Sequence, residues 1–254
     1  MRPSSLLPFH LLLLTLPPPT LSHDGKDEHC PLLHILSARE TTAPPGFGSS
    51  ITLTQLLLSA FNHNSSSLSS TTTPIITAEA ISYPALGDNT SEYAASVTTG
   101  TAAVIKQLST FNARCPDTIL ILHGFSQGGQ IIDDALCGAP HDFTGTGKVG
   151  EDGGRIGRPL VGRGVVGNVA AVILMGSPRF NAGRRGDQGT AKAGGFAARP
   201  EGFSCPAFDD RMLSFCDDGD PFCSNGADEE VHRRYGEVYG KEALRFVVER
   251  VLAG

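Results

Sequence analysis

The sequence predicts an α/β fold in which a parallel sheet is covered by helices on both faces. Three observations carry that reading. Short apolar runs occur without polar alternation, segments of helical period lie between them, and a glycine-framed serine sits where one run gives way to a helix. The chain has 254 residues, of which 40% are hydrophobic, including 13 Phe, so one domain with a large core is expected.

The elements follow in order. Residues 32–38 are a short apolar run and read as a buried strand. Residues 50–62 place Leu53, Leu56, Leu57 and Phe61 on one helical face. Residues 75–83 are β-like and stop at Pro84; residues 93–111 return to helical spacing through Val97, Ala102, Val104, Ile105 and Leu108. A β-rich run over 118–123 ends at Gly124, a helix is expected over 127–136, and strands over 170–175 and 211–215. Residues 241–252 close the pattern as an amphipathic helix, with Leu244, Val247, Val248, Val251 and Leu252 at i, i+3, i+4, i+7 and i+8. Residues 144–168 break it: nine glycines and few apolar anchors predict a surface insertion, with a lid as the alternative.

Residues 1–22 read as a secretory signal. Arg2 precedes a leucine-rich stretch over 6–16, Pro17, Pro18 and Pro19 break it, and Thr20-Leu21-Ser22 offers a small-residue cleavage site. A single catalytic domain is then expected over 23–254, in an extracellular setting. Export changes what the six cysteines mean: three disulfides, among fifteen possible pairings. Asn64 and Asn89 head glycosylation sequons. The formal net charge is −6 with no extended Lys/Arg run, which argues against nucleic acid as a partner. No membrane association, metal or organic cofactor is implied, and a monomer is expected.

The chemistry sits in Gly124-Phe125-Ser126-Gln127-Gly128, a Gly-x-Ser-x-Gly pentapeptide between a strand and a helix. A sharp turn there strains the serine backbone and projects Ser126 Oγ beyond the carboxyl end of the sheet. A nucleophilic serine needs a base, and the base an orienting carboxylate, in the chain order Ser, acid, His. Only His141 and His232 follow Ser126. His141 lies beside the glycine-rich segment, whereas His232 follows Asp220 by twelve residues. Asp220 lies between Cys216 and Cys223, where a disulfide would fix it; Asp217 and Asp218 are its rivals. His123 reads as a packing residue.

At these residues the chain resembles the cutinase/acetylxylan esterase family of fungal serine esterases, and its acetylxylan esterase branch most. The resemblance rests on Ala38-Arg39-Glu40-Thr41-Thr42-Ala43, Gly46-Phe47-Gly48-Ser49-Ser50, Gly124-Phe125-Ser126-Gln127-Gly128-Gly129 and Ala135-Leu136-Cys137-Gly138. It continues through Gly195-Phe196, residues 199–206, residues 216–223, His232 and Tyr235-Gly236. It implies a three-layer α/β/α sandwich with a five-stranded parallel sheet, a cutinase-like α/β-hydrolase. Ser126, Asp220 and His232 would be catalytic, with Thr41 and Gln127 forming the oxyanion hole. It also implies the pairs Cys30–Cys115, Cys137–Cys205 and Cys216–Cys223. Phe222 stands where relatives often carry Tyr. Phe222, Phe196 and Phe203 are expected at the substrate.

The function expected is a secreted serine esterase acting on acetylated xylan or another plant cell-wall ester. The alternatives are a cutinase acting on longer-chain polyesters, which the Arg-Glu-Thr-Thr and Asp-Pro-Phe-Cys segments oppose, and an inactive binding or effector protein.

Overall fold

The computed structural model describes residues 30–63, 75–138 and 157–253. Six strands form one wholly parallel sheet in the order β2-β1-β3-β4-β6-β5. They are β1 (Leu33–Ala38), β2 (Ile76–Ala80), β3 (Ile119–Phe125), β4 (Val169–Met175), β5 (Asp187–Gln188) and β6 (Met212–Phe215). The helices are α1 (Ile51–His63), α2 (Thr90–Arg114), α3 (Gln127–Cys137), α4 (Arg163–Asn168), α5 (Glu229–Arg233) and α6 (Tyr235–Ala253).

The apolar runs become central strands because successive side chains enter opposite layers. In β3, Leu120 and Leu122 pack towards α2 and α3 with Val104, Leu108, Ile131 and Ile132. Ile121 packs on the other face with Leu53, Leu57, Ala243 and Val247 of α1 and α6. Two cores therefore sandwich one sheet, which is the three-layer architecture expected. Asn89 caps α2 by accepting the Glu92 N–H at 3.0 Å, an arrangement worth about 1 kcal/mol.

Three features differ from the sequence reading. The sheet has six strands, not five, because Asp187 and Gln188 pair beside β6: the Ser214 and Cys216 N–H groups donate to Gly186 and Gln188 carbonyls, each at 3.0 Å. The end of the glycine-rich segment is the helix α4, since Val161 and Val165 bury into the α2/α3 core. The last helix starts six residues earlier than expected, at Tyr235. Its first turns are stabilised by the packing of Tyr235 and Tyr239, which helical hydrophobic spacing alone does not reveal. The signal over 1–22, the sequon Asn64 and His141 lie outside the described residues.

Candidate active site

The carboxyl ends of β3, β4 and β6 converge on one edge, and the loops leaving them build the site. Ser126 follows β3 with φ 54° and ψ −121°, a backbone conformation that L residues rarely adopt. The turn is held because the Ser126 N–H donates to Met175 O at 2.8 Å while its carbonyl accepts from the Gln130 N–H at 3.1 Å. Its glycines are sterically required. A Cβ on Gly124 would strike the Gly128 carbonyl, and one on Gly128 would strike Ala38 O. Gln127 opens α3, where the first N–H groups have no partner inside the helix. Its side chain is pinned, accepting from Ser96 Oγ at 2.9 Å and donating to Leu86 O at 3.0 Å.

The facing wall is the loop after β1. Thr42 has φ 63° and its N–H donates to Ala85 O at 2.7 Å. The buried Arg39 ties this loop to the next. Its guanidinium donates to Ala43 O at 2.9 Å and to Tyr83 O at 2.6 Å, with longer bonds to the Ile81 and Pro84 carbonyls. Gly87 is glycine because any Cβ there would collide with Thr41 Cγ2.

His232 and Asp220 come from beyond β6. The Cys216–Cys223 disulfide closes the loop holding Asp220, whose side chain is fully buried. All of its acceptor capacity is in use. Oδ1 takes the N–H groups of Phe222 at 2.6 Å and Cys223 at 3.0 Å; Oδ2 faces His232 Nδ1 at 2.6 Å and the Tyr235 hydroxyl at 2.9 Å. Burial alone would raise the carboxyl; the hydrogen bonds and charge of His232, with the two amides, outweigh it and hold Asp220 below the usual carboxylate range. Since a carboxylate only accepts at Oδ2, Nδ1 is the donor in this pair. The rivals serve elsewhere: Asp217 Oδ1 accepts from Thr190 and Tyr239, and the Asp218 N–H donates to Thr190 Oγ1. Gly176, with φ 59°, leaves room for the imidazole, as a Cβ there would lie 2.8 Å from His232 Cε1.

Thr41, Ser126, Phe196, Phe222 and His232 line one cleft of about 520 Å³, with Tyr93, Phe125, Glu40, Glu229 and Arg233. Phe203, expected at the substrate, does not line it. It lies over the guanidinium groups of Arg199 and Arg184, with ring centroids 4.6 and 5.0 Å away, and covers a charge cluster behind the cleft. That cluster escaped the sequence reading. Asp134 takes a bidentate pair from Arg179 at 2.9 and 3.1 Å, and Asp133 bonds Arg199 and Arg184. Arg179 also donates to Ala197 O at 2.8 Å, joining α3 to the loop that carries Phe196. Two adjacent aspartates inside an apolar helix were the available signal. The remaining disulfides are Cys30–Cys115 and Cys137–Cys205, and Asn89 is exposed.

The family model for cutinase matches residues 29–251. The chain belongs to the cutinase family. Cutinase 11 of Verticillium dahliae is 43% identical over 231 residues, 89% of this chain and 71% of that protein. Acetylxylan esterase 2 of Talaromyces purpureogenus is 42% identical over 226 residues, 87% of this chain and 88% of that one. Among solved structures, the catalytic core domain of acetyl xylan esterase from Trichoderma reesei superposes with a TM-score of 0.73 at 40% identity, covering 87% of this chain and 99% of that one. This cutinase-family protein is accordingly a carboxylic-ester hydrolase.

Proposed function

We propose that the protein is an extracellular serine esterase that removes acetyl groups from xylan, acting as a monomer. Ser126 Oγ attacks the acetyl carbonyl as His232 Nε2 takes its proton, and Asp220 holds the imidazole and balances the charge it gains. The Gln127 N–H and Thr41 receive the oxyanion. Collapse expels the sugar alkoxide, which recovers the proton from His232. Water then attacks the acyl-enzyme by the same route and releases acetic acid. The three disulfides and the leader expected over 1–22 support an extracellular site of action.

One observation carries the choice of substrate. Among the described residues, the cleft lining contains no Leu, Ile, Val or Met; it has four aromatic rings beside charged and hydroxyl groups. Aromatic faces and hydrogen-bonding groups suit a sugar. A long acyl chain gains about 0.8 kcal/mol per methylene only where aliphatic wall can bury it. Cutinase action on longer-chain polyesters is the second reading, favoured by the likeness to the Verticillium protein named a cutinase.

The test compares p-nitrophenyl acetate, butyrate and octanoate beside acetic acid release from acetylated xylan, with Ser126→Ala as control. The specificity constant should fall beyond butyrate, and Ser126→Ala should lower kcat by roughly 10⁶. Octanoate matching acetate with no acetic acid from xylan would replace this reading by the cutinase one. Activity of Ser126→Ala within tenfold would refute the nucleophile.

A further inference from the structure

His123 is the last histidine before the elbow, it is 1% exposed, and the proposed hydrolysis makes no use of it. Its Nδ1 lies 3.2 Å from the Ile173 carbonyl. A carbonyl only accepts, so Nδ1 carries the proton and Nε2 presents a lone pair. Nε2 hydrogen-bonds to no described residue; the fully enclosed unpartnered polar side-chain atoms among the described residues are His34 Nε2, Thr101 Oγ1 and Ser224 Oγ, so Nε2 keeps some access to solvent. Burial drives the imidazole down to about 4, so it stays neutral under working conditions.

The ring lines a second cavity, of about 450 Å³, that adjoins the cleft. Glu40, Ala43, Ser49, Phe125 and Arg233 line both spaces, so a molecule lying across this common wall reaches from Ser126 into the second cavity. The cavity wall is mixed: Pro44, Ile51, Phe125 and Met175 give it apolar surface, and its polar groups carry no surplus cation. Glu237 and Thr52 line it, Arg233 is matched by Glu229 and Glu230, and Glu40 accepts from the Ser49 N–H and hydroxyl. Two carboxylates disfavour an anionic occupant, and a neutral acceptor at the floor calls for a hydroxyl donor.

We propose that this cavity is a subsite for a neutral, hydroxyl-bearing sugar residue of the chain whose acetyl ester lies at Ser126, with a sugar hydroxyl donating to His123 Nε2. The assignment rests on the acetyl-polysaccharide reading. It adds a recognition site away from the bond that is cleaved, so that a polymer is held at two points.

The experiment compares His123→Val, which removes the acceptor, and Thr52→Phe, which fills the cavity from α1, with the wild type. Specificity constants are measured for an acetylated neutral xylo-oligosaccharide and for p-nitrophenyl acetate, which is too small to span both spaces. The quantity read is their ratio, which cancels any common effect on the elbow. It should fall about five- to tenfold in His123→Val, the scale of one lost hydrogen bond, and at least as far in Thr52→Phe. Should His123→Val fail to fold, Thr52→Phe carries the test. A ratio within twofold of wild type overturns the subsite. So does an altered acetate-to-butyrate preference with the oligosaccharide ratio intact, since the cavity would then hold the acyl chain. A wild type that cleaves p-nitrophenyl acetate but frees no acetic acid from the oligosaccharide refutes the polysaccharide reading itself, and the subsite with it.

Discussion

The Tyr235 hydroxyl donates to Asp220 Oδ2 at 2.9 Å, the same oxygen that His232 Nδ1 reaches at 2.6 Å. The hydroxyl also accepts the Asp217 N–H at 2.8 Å, so the first residue of α6 braces the acid and its loop together. Tyr235→Phe should lower kcat several-fold and destabilise the fold by about 1.5–3 kcal/mol, the range for a hydrogen bond to a charged group. The pH dependence has a definite sign. A carboxyl held below its ordinary value contributes stability above that value and loses it as pH falls through its folded one. The deficit of the variant should therefore be full at pH 7 and shrink towards pH 3. Thermal unfolding at both values checks this, and an equal deficit at both would contradict it.

Gly176→Ala tests the space left for the base. The added methyl would sit 2.8 Å from His232 Cε1 and 3.0 Å from Nδ1, on a residue whose φ already disfavours a side chain. Displacing the imidazole by about 1 Å is expected to cost about 100-fold in kcat. A variant with kcat within threefold of wild type would show that the ring can yield freely.

Arg39→Lys tests how the Thr41 wall is held. One guanidinium reaches four carbonyls on two loops, and an ammonium cannot span them. Stability should fall by about 2–3 kcal/mol. On p-nitrophenyl acetate kcat should drop tenfold or more with KM little changed, because in the proposed mechanism Thr41 receives the developing oxyanion rather than the resting ester. A rise in KM alone would assign the loop to binding.

Removing the short disulfide by Cys216→Ser with Cys223→Ser separates positioning from chain entropy. A loop with a sequence separation of 7 contributes on the order of 2–3 kcal/mol through the unfolded state. That corresponds to a fall in Tm of about 5–10 °C for a domain of this size. Activity at 25 °C should fall more than 100-fold, because the Cys223 amide that bonds Asp220 is released with the loop. Activity within tenfold would leave the bridge a purely stabilising role.

The elbow and its flanking strand were legible because burial on both faces writes an uninterrupted apolar run over 119–122, and glycine alone fits where Gly128 meets Ala38 O. The pairing of Asp220 with His232 was legible through chain order and the two nearby cysteines. What stayed hidden is held by groups that carry no periodic signal. Asp187 and Gln188 join the sheet through backbone bonds, with polar side chains that announce no strand. Phe203 reads as a cleft aromatic until its ring is seen over two arginines. Asp133 and Asp134 are buried against guanidinium groups from a loop more than forty residues away, a pairing that no local spacing announces.

That buried cluster also constrains how the sequence can diverge. Three guanidinium groups meet two carboxylates, so exchanging either aspartate strands positive charge, at a cost of about 3–5 kcal/mol. Side chains on the Phe196 wall are free to drift, but the backbone path beneath them is fixed by Arg179 at Ala197 O. A lineage adapting to a bulkier ester must exchange an aspartate and an arginine together before that wall can be rebuilt. Libraries of single substitutions will sample new rim residues and leave the route of the loop unchanged.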